Sequence, residues 1–357
     1  MKRRVLGILA AILVLSLPAS SQQAPQMTLH FIDVGQALSA LLEFPCGAML
    51  VDAGNDAEHE DAVTDYLTTF FQRRTDLNQT LDLVLITHNH KDHTSSLRAV
   101  VENFTVKRYI DDGFDHGSGA PNPNWLRREV QAGRLNVTVR AIRDKEVTEL
   151  PTKTGLTDQD IDPFSCGTVD PRVRILSGSF EDDDNPGWPD SVFENQNNHS
   201  LVTRVDFGAA SMLFTGDLEE DGIETLLEYY DGASRQMLNT GVLQVGHHGS
   251  HNATTAALLR AVTPSVALIP VGRWNFGGGQ KRGFNTFSFG HPRQLTLDLL
   301  AANMTRARTP SKDVMAAEGA RKFHHTSVTK AIYATGWDGT IRVAADTTGR
   351  LTVRREH

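Results

Sequence analysis

Apolar and polar residues alternate with a period of two over residues 27–34 and 38–44, and this alternation predicts two β-strands. The turn sequence Pro45-Cys46-Gly47 separates the second of these from a third strand over residues 48–51. Residues 58–71 carry apolar side chains at helical spacing and begin with acidic residues, which indicates a helix. Residues 81–87 form a nearly continuous apolar run, typical of a strand that is buried on both faces.

The same kinds of pattern recur along the rest of the chain. The spacing predicts further helices over residues 94–104, 223–230, 254–261 and 294–302. It predicts strands over residues 136–142, 172–176, 201–206, 211–214, 242–245 and 266–271, with short strands again over 331–353. Residues 111–124, 147–171 and 181–195 are rich in turn-forming or acidic residues, and they indicate loops.

Strand pairs followed by strand–helix alternation occur twice in this order. That arrangement fits two sheets packed face to face with helices outside them, an αββα sandwich of the layered α/β class. We expect a single domain over residues 27–354, with an insertion at about residues 111–195.

The N-terminal segment has the order of a secretory signal. Three basic residues at positions 2–4 precede the apolar run of residues 5–17, and small residues follow in Pro18-Ala19-Ser20-Ser21. We therefore expect residues 1–21 to be removed and the protein to be exported, to the periplasm or out of the cell. The apolar run is short for a membrane span, which needs about 20 residues. An uncleaved N-terminal anchor is the alternative, and no later stretch is long and apolar enough to span a bilayer.

Composition and charge set further bounds. The chain has 357 residues, of which 39% are hydrophobic and 22% are charged, as in ordinary globular proteins. Loss of the three basic residues with the signal would change the formal net charge from −8 to −11. Such a balance excludes a general nucleic-acid coat but leaves room for a local basic pocket. Cys46 and Cys166 are the two cysteines, and they are expected either to pair in an oxidising compartment or to be two buried free thiols.

The strongest chemical signal is the segment His88-Asn89-His90-Lys91-Asp92-His93, which follows the buried strand and leads into a helix. Imidazole nitrogens and carboxylate oxygens are both ligands for a metal such as zinc. Alternate residues of an extended segment share a face, so His88 and His90 can bind the same ion. Asp92 and His93 then reach a second ion, which predicts two metals about 3.5–4 Å apart. A His-rich surface loop is the alternative interpretation.

This segment resembles the signature of the metallo-β-lactamase superfamily. More narrowly, the chain resembles the hydrolase domain of the ComEC/Rec2 competence proteins and their stand-alone relatives. The resemblance covers roughly residues 28–345 and rests on short stretches in a shared order: 31–36, 51–54, 197–202, 247–250, 290–292 and 335–341. The chain departs from these relatives at Ala37-Leu38, where they usually have Gly-Asp, and at His199, where they commonly have Asn.

The resemblance implies a metal-dependent hydrolase with two divalent ions, zinc or manganese. It implies His88, His90, Asp92, His93 and a bridging Asp217 as ligands, with a hydroxide between the ions as nucleophile, and Asp92 as both ligand and orienting group. His199 is expected to add a ligand to the first metal, the alternative being a tolerated polar residue. Either His247 or His248 binds the second metal and the other faces the substrate, with catalytic roles for both.

Several residues around this core have more than one interpretation. His291 is either a distal ligand or substrate contact, or it caps the helix that begins near Pro292. Asp33 and Asp52 are candidates for fixing imidazole tautomers, with a structural role as the alternative. The pair His324-His325 is expected to be a surface feature.

The substrate is indicated by one local segment. Residues 271–293 carry Arg273, Lys281 and Arg282 among glycines and aromatic residues, a composition that suits a phosphate and a stacked base. A flexible loop with scattered charge is the alternative. We therefore expect a phosphodiesterase, with a nuclease acting on DNA or a nucleotide as one form of it. Hydrolysis of a lactam, lactone or other ester is the second hypothesis, disfavoured because Asp217 stands where many zinc β-lactamases have Cys. A metal-binding receptor without turnover is the third.

Overall fold

The computed structural model describes residues 26–167, 169–274 and 285–356. The strands in chain order are β1 (Gln26–Phe31), β2 (Ser39–Glu43), β3 (Ala48–Ala53), β4 (Thr80–Leu81), β5 (Leu83–Leu85), β6 (Thr105–Val106), β7 (Arg108–Asp111), β8 (Thr138–Ala141), β9 (Arg172–Ser177), β10 (Val202–Phe207), β11 (Ala210–Phe214), β12 (Val242–Gln244), β13 (Val266–Ile269), β14 (Ala307–Gly319), β15 (Lys322–Lys330), β16 (Ile332–Ala334), β17 (Thr340–Asp346) and β18 (Leu351–Glu356). The helices are α1 (Ala62–Arg73), α2 (Lys91–Thr94), α3 (Leu97–Asn103), α4 (Pro121–Gln131), α5 (Asp144–Thr148), α6 (Asp190–Phe193), α7 (Glu220–Tyr229), α8 (Ala256–Val262), α9 (Thr286–Phe289), α10 (Gln294–Asn303) and α11 (Thr335–Asp338).

Two large sheets form the centre of the molecule. The first has eight strands in the order β18-β17-β1-β2-β3-β5-β7-β8, and the second has six in the order β16-β13-β12-β11-β10-β9. The predicted meander is present, since β1, β2 and β3 pair antiparallel, whereas β3, β5, β7 and β8 run parallel. In the second sheet β11, β12, β13 and β16 are parallel. The fold is thus the expected αββα sandwich.

Two apolar layers hold the sandwich together. Side chains of both sheets, such as Phe31 and Val51 of the first and Val205 and Phe207 of the second, are fully buried in one large core. A second core lies between the outer face of the first sheet and the helices α1, α3 and α4. Buried residues of α7, α8 and α10 join the large core from the other side. The described residues contain no helix that is long and apolar enough to cross a membrane.

Two regions, residues 121–124 and the β14–β15 hairpin, differ from the sequence predictions. The loop expected over residues 111–124 ends early, because α4 begins at Pro121, a residue whose fixed φ suits the first turn of a helix. The strands predicted at 136–142 and 172–176, within the expected insertion, are present as β8 and β9 and form edge strands of the two sheets. The hairpin of β14 and β15 corresponds to no predicted element. The signal segment expected at residues 1–21 lies outside the described residues.

A disulfide joins Cys46, in the turn between β2 and β3, to Cys166, in the segment before β9. The two cysteines are 120 residues apart in the chain, so the bond closes a long loop in the unfolded state. A Cys46→Ser/Cys166→Ser variant should lose about 2–4 kcal/mol of unfolding free energy, because closing a loop of this length restricts the unfolded chain. Urea unfolding without reductant measures the loss.

The control for this prediction is reductant itself. Dithiothreitol should lower the unfolding midpoint of the wild type toward that of the serine variant and leave the variant's midpoint unchanged. Equal midpoints for the oxidised wild type and the variant would contradict the stabilising role.

Candidate metal centre

The predicted ligands come together because they follow strand ends at the same edge of the sandwich. His88 and His90 follow β5, Asp217 follows β11, and His248 follows β12. The carboxyl ends of parallel strands open onto one edge of a sheet, where loops carry functional side chains. His248 lies on an unusual turn, since both it and His247 have left-handed backbone angles, with φ of 53° and 47°. A left-handed backbone at two successive non-glycine residues is costly, and such strain is found at functional sites.

Four side chains form the tightest part of the cluster. Ligand atoms of Asp92, His93, Asp217 and His248 all lie within 4.8 Å of one another. His248 Nε2 is 3.1 Å from Asp92 Oδ2 and 3.4 Å from Asp217 Oδ2. His93 Nε2 is 3.3 Å from Asp217 Oδ1. The two oxygens of Asp217 therefore face different imidazoles.

His88 and His90 form a second pair beside this group. His88 Nε2 and His90 Nδ1 face each other at 3.1 Å, and the rings of His88 and His93 are 4.2 Å apart. Zinc–nitrogen bonds of about 2.0–2.1 Å place two imidazole ligands of one ion at roughly this separation. His88 and His90 therefore point to the same side of the segment that follows β5, as the sequence predicts.

Hydrogen bonds on the far side of the rings fix their orientation. Asp52 accepts a hydrogen bond from His93 Nδ1 at 2.7 Å and two more from Thr87, through its backbone N–H and its hydroxyl. His248 Nδ1 donates to the carbonyl oxygen of Pro270 at 2.6 Å. In both imidazoles the proton is held on Nδ1, which leaves the lone pair of Nε2 for a cation. Asp33, the other candidate for this task, contacts Gly35 and Thr340 instead.

The electrostatics of the cluster favour a cation. Burial lowers the pKa of His88 well below its ordinary value and also lowers that of His90, which keeps both rings in the neutral form that binds metals. Burial acts to raise the pKa of Asp217, but the imidazoles of His93 and His248 outweigh it and hold that pKa well below its ordinary value. Burial acts to lower the pKa of His248, but Asp217 and Asp92 raise it to about 10. The carboxylates thus stay ionised and attract positive charge.

Three buried atoms of this cluster lack a hydrogen-bond partner among the described residues: Asp92 Oδ1, His93 Nε2 and Asp217 Oδ1. Buried polar atoms without partners are rare in folded proteins and require an explanation. Imidazole nitrogens together with carboxylate oxygens form a donor set that suits zinc or manganese. The residues present therefore fit two divalent ions, one near His88 and His90 and one near Asp92, His93 and His248, with Asp217 between them.

A small pocket of about 170 Å³ opens over the cluster. It is lined by Gln36, His90, Asp92, Ser118, Asn197, Asp217, His247, His248, Phe289 and His291. His247 lies at its edge, with Nδ1 3.2 Å from Glu219 Oε1, and Glu219 is held by Asn195 and Asn197. The geometry favours His248 over His247 as the ligand of the second ion and leaves His247 facing the pocket.

His291 has a defined hydrogen-bonding state. The hydroxyl of Thr286 donates to Gln36 Oε1, so the amide nitrogen of Gln36 faces His291 Nδ1 at 3.1 Å and donates to it. The neutral ring of His291 therefore carries its proton on Nε2, where it is a hydrogen-bond donor. This favours a substrate contact over a distal metal ligand.

His199 does not join the metal cluster, so the prediction that it is a metal ligand is wrong. Its Nδ1 accepts a hydrogen bond from the backbone N–H of Phe180 at 3.1 Å, and its Nε2 donates to the carbonyl oxygen of Phe193 at 2.6 Å. Both ring nitrogens are occupied, and the ring packs among aromatic side chains: Phe114, Phe180, Trp188 and Phe193. His199 is a structural residue that joins two loops.

Of the remaining predicted substrate residues, Lys281 and Arg282 lie outside the described residues. Arg273 is exposed and follows Gly272, which packs against Gln36 of the pocket wall. Sequence reasoning missed Ser118, Asn197 and Glu219. Glu219 follows Asp217 by two residues, and Asn197 begins the stretch 197–202 that contributes to the family resemblance. Their position along the chain was the one available signal for these two residues.

A family model described as the metallo-beta-lactamase superfamily matches residues 32–273 of the chain. Among curated proteins, the chain is 24% identical over 289 residues to ComE operon protein 3 of Bacillus subtilis, covering 77% of this chain and 30% of that protein. It is 44% identical over 84 residues to Recombination protein 2 of Haemophilus influenzae, covering 24% of this chain and 10% of that protein. The chain thus spans less than a third of the length of these relatives.

Among solved structures, the chain is similar to the metallo-beta-lactamase fold protein YhfI from Bacillus subtilis. The match has a TM-score of 0.38 and 12% sequence identity, and it covers 68% of this chain and 85% of that one.

Proposed function

Because the chain belongs to the metallo-beta-lactamase superfamily, we propose that it is a dinuclear-metal-dependent phosphodiesterase that acts outside the cytoplasm. The observation that carries the proposal is the cluster of Asp92, His93, Asp217 and His248 beside the pair His88 and His90, open to a pocket. Two divalent ions bound there would supply Lewis acidity and an activated water nucleophile.

The protein's own residues would orient the metal ligands and contact the substrate. Asp52 and the Pro270 carbonyl hold His93 and His248 in the tautomers that leave Nε2 for the cations. His291 and His247 line the pocket on the same side, with ring centroids 5.6 Å apart. The N–H of His291 Nε2 suits a phosphoryl oxygen, since charge on those oxygens is stabilised by preorganised donors.

The relatives support a nucleic-acid substrate. The matched proteins bear the names Recombination protein 2 and Competence protein ComA as well as ComE operon protein 3. We propose DNA or a nucleotide as the substrate class on this basis and on the exposed Arg273, which follows the Gly272 that packs against Gln36 of the pocket wall.

Two features support the proposal of export. The order of basic, apolar and small residues in positions 1–21 is that of a secretory signal. The disulfide between Cys46 and Cys166 is a bond that persists in oxidising compartments and is rare in the cytosol. The test is the N-terminal sequence of the protein from the periplasm or medium, which should begin near residue 22. Recovery of the chain with its first residue intact from the cytosol would contradict export.

A substrate panel tests the activity. The protein, loaded with zinc or with manganese, is offered bis-p-nitrophenyl phosphate, single-stranded DNA, a phosphorylcholine ester and a chromogenic lactam. We expect turnover of the phosphodiesters, with the metal-free protein inactive and activity restored by added metal. Hydrolysis of the lactam alone would contradict the phosphodiesterase proposal, and tight binding without turnover would favour a receptor. Asp92→Ala and His90→Ala should each abolish turnover.

A further inference from the structure

The surface on one side of the metal pocket combines arginines with exposed aromatic rings. Among the described residues, the large apolar side chains that stand exposed are Trp274, Phe289 and Leu295, with exposed fractions of 39%, 38% and 54%. Elsewhere in the described chain such side chains are at least partly covered, so Trp274 and the neighbouring pair Phe289 and Leu295 single out this surface. Exposed apolar groups gathered in one place mark binding surfaces.

Three arginines lie on the same side: Arg273, Arg293 and Arg321. None of them is within ion-pair distance of a carboxylate in residues 26–167, 169–274 and 285–356, although most other arginines that are described have such partners. Arginines without internal carboxylate partners are available to an anion. We call Arg273, Trp274, Phe289, Arg293 and Arg321 the aromatic–basic shelf.

Short backbone contacts join the shelf to the pocket wall. Arg293 donates from Nη2 to the carbonyl oxygen of Phe289 at 3.2 Å, and Phe289 lines the pocket with its ring stacked 5.9 Å from that of His291. The backbone N–H of Arg321, in the turn between β14 and β15, donates to the carbonyl oxygen of Phe287 at 2.9 Å. The turn approaches so closely that a Cβ on Gly290 would lie 2.4 Å from the carbonyl oxygen of Gly319.

Arg273 and Trp274 directly follow a residue that packs against the pocket wall. The preceding residue, Gly272, packs against the backbone of Gln36, where an added Cβ would lie 3.0 Å from the backbone nitrogen. Gln36 is the residue that orients His291. The shelf is therefore continuous with the pocket wall that carries the hydrogen-bond donors.

Carboxylates gather next to another part of the pocket lining, the part that contains Ser118 and Asn197. A second pocket of about 320 Å³ is lined there by His116, Gln196, Phe114, Phe193, His199 and three carboxylates, those of Asp182, Asp190 and Glu194. The two pockets are neighbours, since Gln196 precedes Asn197 and donates to the carbonyl oxygen of His116 at 2.9 Å. No lysine or arginine among the residues with described positions pairs with these three carboxylates, which we call the acidic wall.

We propose that the shelf binds one arm of a single-stranded nucleic acid and that the acidic wall prevents the strand from continuing across the site, so that the protein cleaves near a strand end. This inference rests on the proposed phosphodiesterase function. Aromatic rings interleaved with arginines are the surface that single strands use, with bases on the rings and phosphates on the guanidinium groups. A second polyanionic arm over the acidic wall meets like charge, which repels it. The reaction is hydrolysis: water adds to phosphorus, the ester P–O bond breaks, and the leaving alkoxide takes up a proton.

The test of the wall compares linear and circular single-stranded DNA of the same length and sequence, with bis-p-nitrophenyl phosphate as the small substrate. We expect the linear strand to be shortened from an end, with mononucleotides or short oligonucleotides as first products, and the circle to be cut at least tenfold more slowly. An Asp182→Asn/Asp190→Asn/Glu194→Gln variant should cut the circle faster than the wild type does. Equal rates on circle and linear strand in the wild type would overturn the proposal.

The test of the shelf is a binding measurement on the metal-free protein. Fluorescence anisotropy with a labelled single strand should show affinity falling at least about fivefold in Trp274→Ala, as expected for loss of a stacked base. In Arg273→Gln/Arg321→Gln the slope of log K against log salt should fall by about 1.4, because each phosphate contact on a single strand contributes about 0.7. Arg354→Gln, an exposed arginine on β18, is the matched control and should leave affinity and slope unchanged.

The two proposals fail in distinguishable ways. If the metal-loaded wild type does not hydrolyse bis-p-nitrophenyl phosphate, the phosphodiesterase function is wrong, and the inference falls with it. If it hydrolyses that substrate but the shelf variants bind single strands as tightly as the wild type and Arg354→Gln do, the shelf is wrong and the phosphodiesterase function stands.

Discussion

Replacing Asp217 with asparagine should reduce the rate of bis-p-nitrophenyl phosphate hydrolysis by about 10³-fold or more, because the side chain serves both halves of the cluster. Its Oδ1 is 3.3 Å from His93 Nε2 and its Oδ2 is 3.4 Å from His248 Nε2. The amide is the same shape but carries no charge, and its NH₂ end cannot bind a cation. Bound metal measured by elemental analysis should fall from two equivalents per chain to one or fewer.

The matched control is Asp221→Asn, four residues further along the chain. Asp221 is exposed in the first turn of α7, and its side chain takes part in no described contact of the cluster. This variant should keep the wild-type rate and metal content. Circular dichroism shows whether both variants are folded. If the Asp217→Asn variant is folded, binds two metals and retains a tenth of the wild-type rate, then Asp217 is not a ligand shared by the two halves of the cluster.

His88, His90, Asp92 and His93 could be predicted as ligands from the residues themselves, because they lie in one short segment directly after a buried strand. Asp217 and the choice of His247 or His248 followed from the family resemblance. His88, His90, Asp92 and His93 occur within six residues, and Asp217 and His248 each follow an apolar run. The fold class followed from the same regularity, since periods of two and of 3.6 separate strands from helices. The antiparallel pairing of β1, β2 and β3 agrees with the predicted meander.

What the sequence could not provide was the partner of each side chain. His199 has the residue type of a ligand, yet the backbone groups of Phe180 and Phe193 occupy both its nitrogens. These contacts depend on how distant loops fold over each other. The choice between His247 and His248 likewise depended on a left-handed turn that orients two adjacent rings differently.

Long-range packing also set the surroundings of the site. The turn between β14 and β15 lies against the segment before the pocket wall, where the backbone N–H of Arg321 donates to the carbonyl oxygen of Phe287. The spacing of apolar residues along the chain cannot predict such a long-range contact. Gln36 became a site residue because it contacts His291, which is 255 residues away in the chain. Residues of this kind are found by geometry, since their identity alone is compatible with any polar surface.

The ion pair of Arg308 and Asp338 is fully buried and links the base of the β14–β15 hairpin to α11, which connects the two sheets. Arg308 donates from Nη1 to Asp338 Oδ2 at 2.9 Å and to the carbonyl oxygen of Ile332 at 2.9 Å. Asp338 also accepts from the backbone N–H of Ala334 at 3.2 Å. Burial acts to raise the pKa of Asp338, but Arg308 outweighs it and holds that pKa below its ordinary value.

An Arg308→Met variant should therefore lose about 3–5 kcal/mol of unfolding free energy at pH 7, since it leaves the Asp338 carboxylate buried without its main partner. Without Arg308, the folded-state pKa of Asp338 rises above its unfolded value of about 4, so the variant gains stability relative to the wild type as the pH falls toward 4. Urea unfolding at pH 7 and at pH 4.5 measures the difference.

The Arg308→Met/Asp338→Asn variant, which removes both charges, should be more stable at pH 7 than Arg308→Met alone. A loss for Arg308→Met that is below 1 kcal/mol, or that does not change with pH, would show that Asp338 keeps its charge without Arg308, with Lys312 as the remaining cation 3.2 Å away.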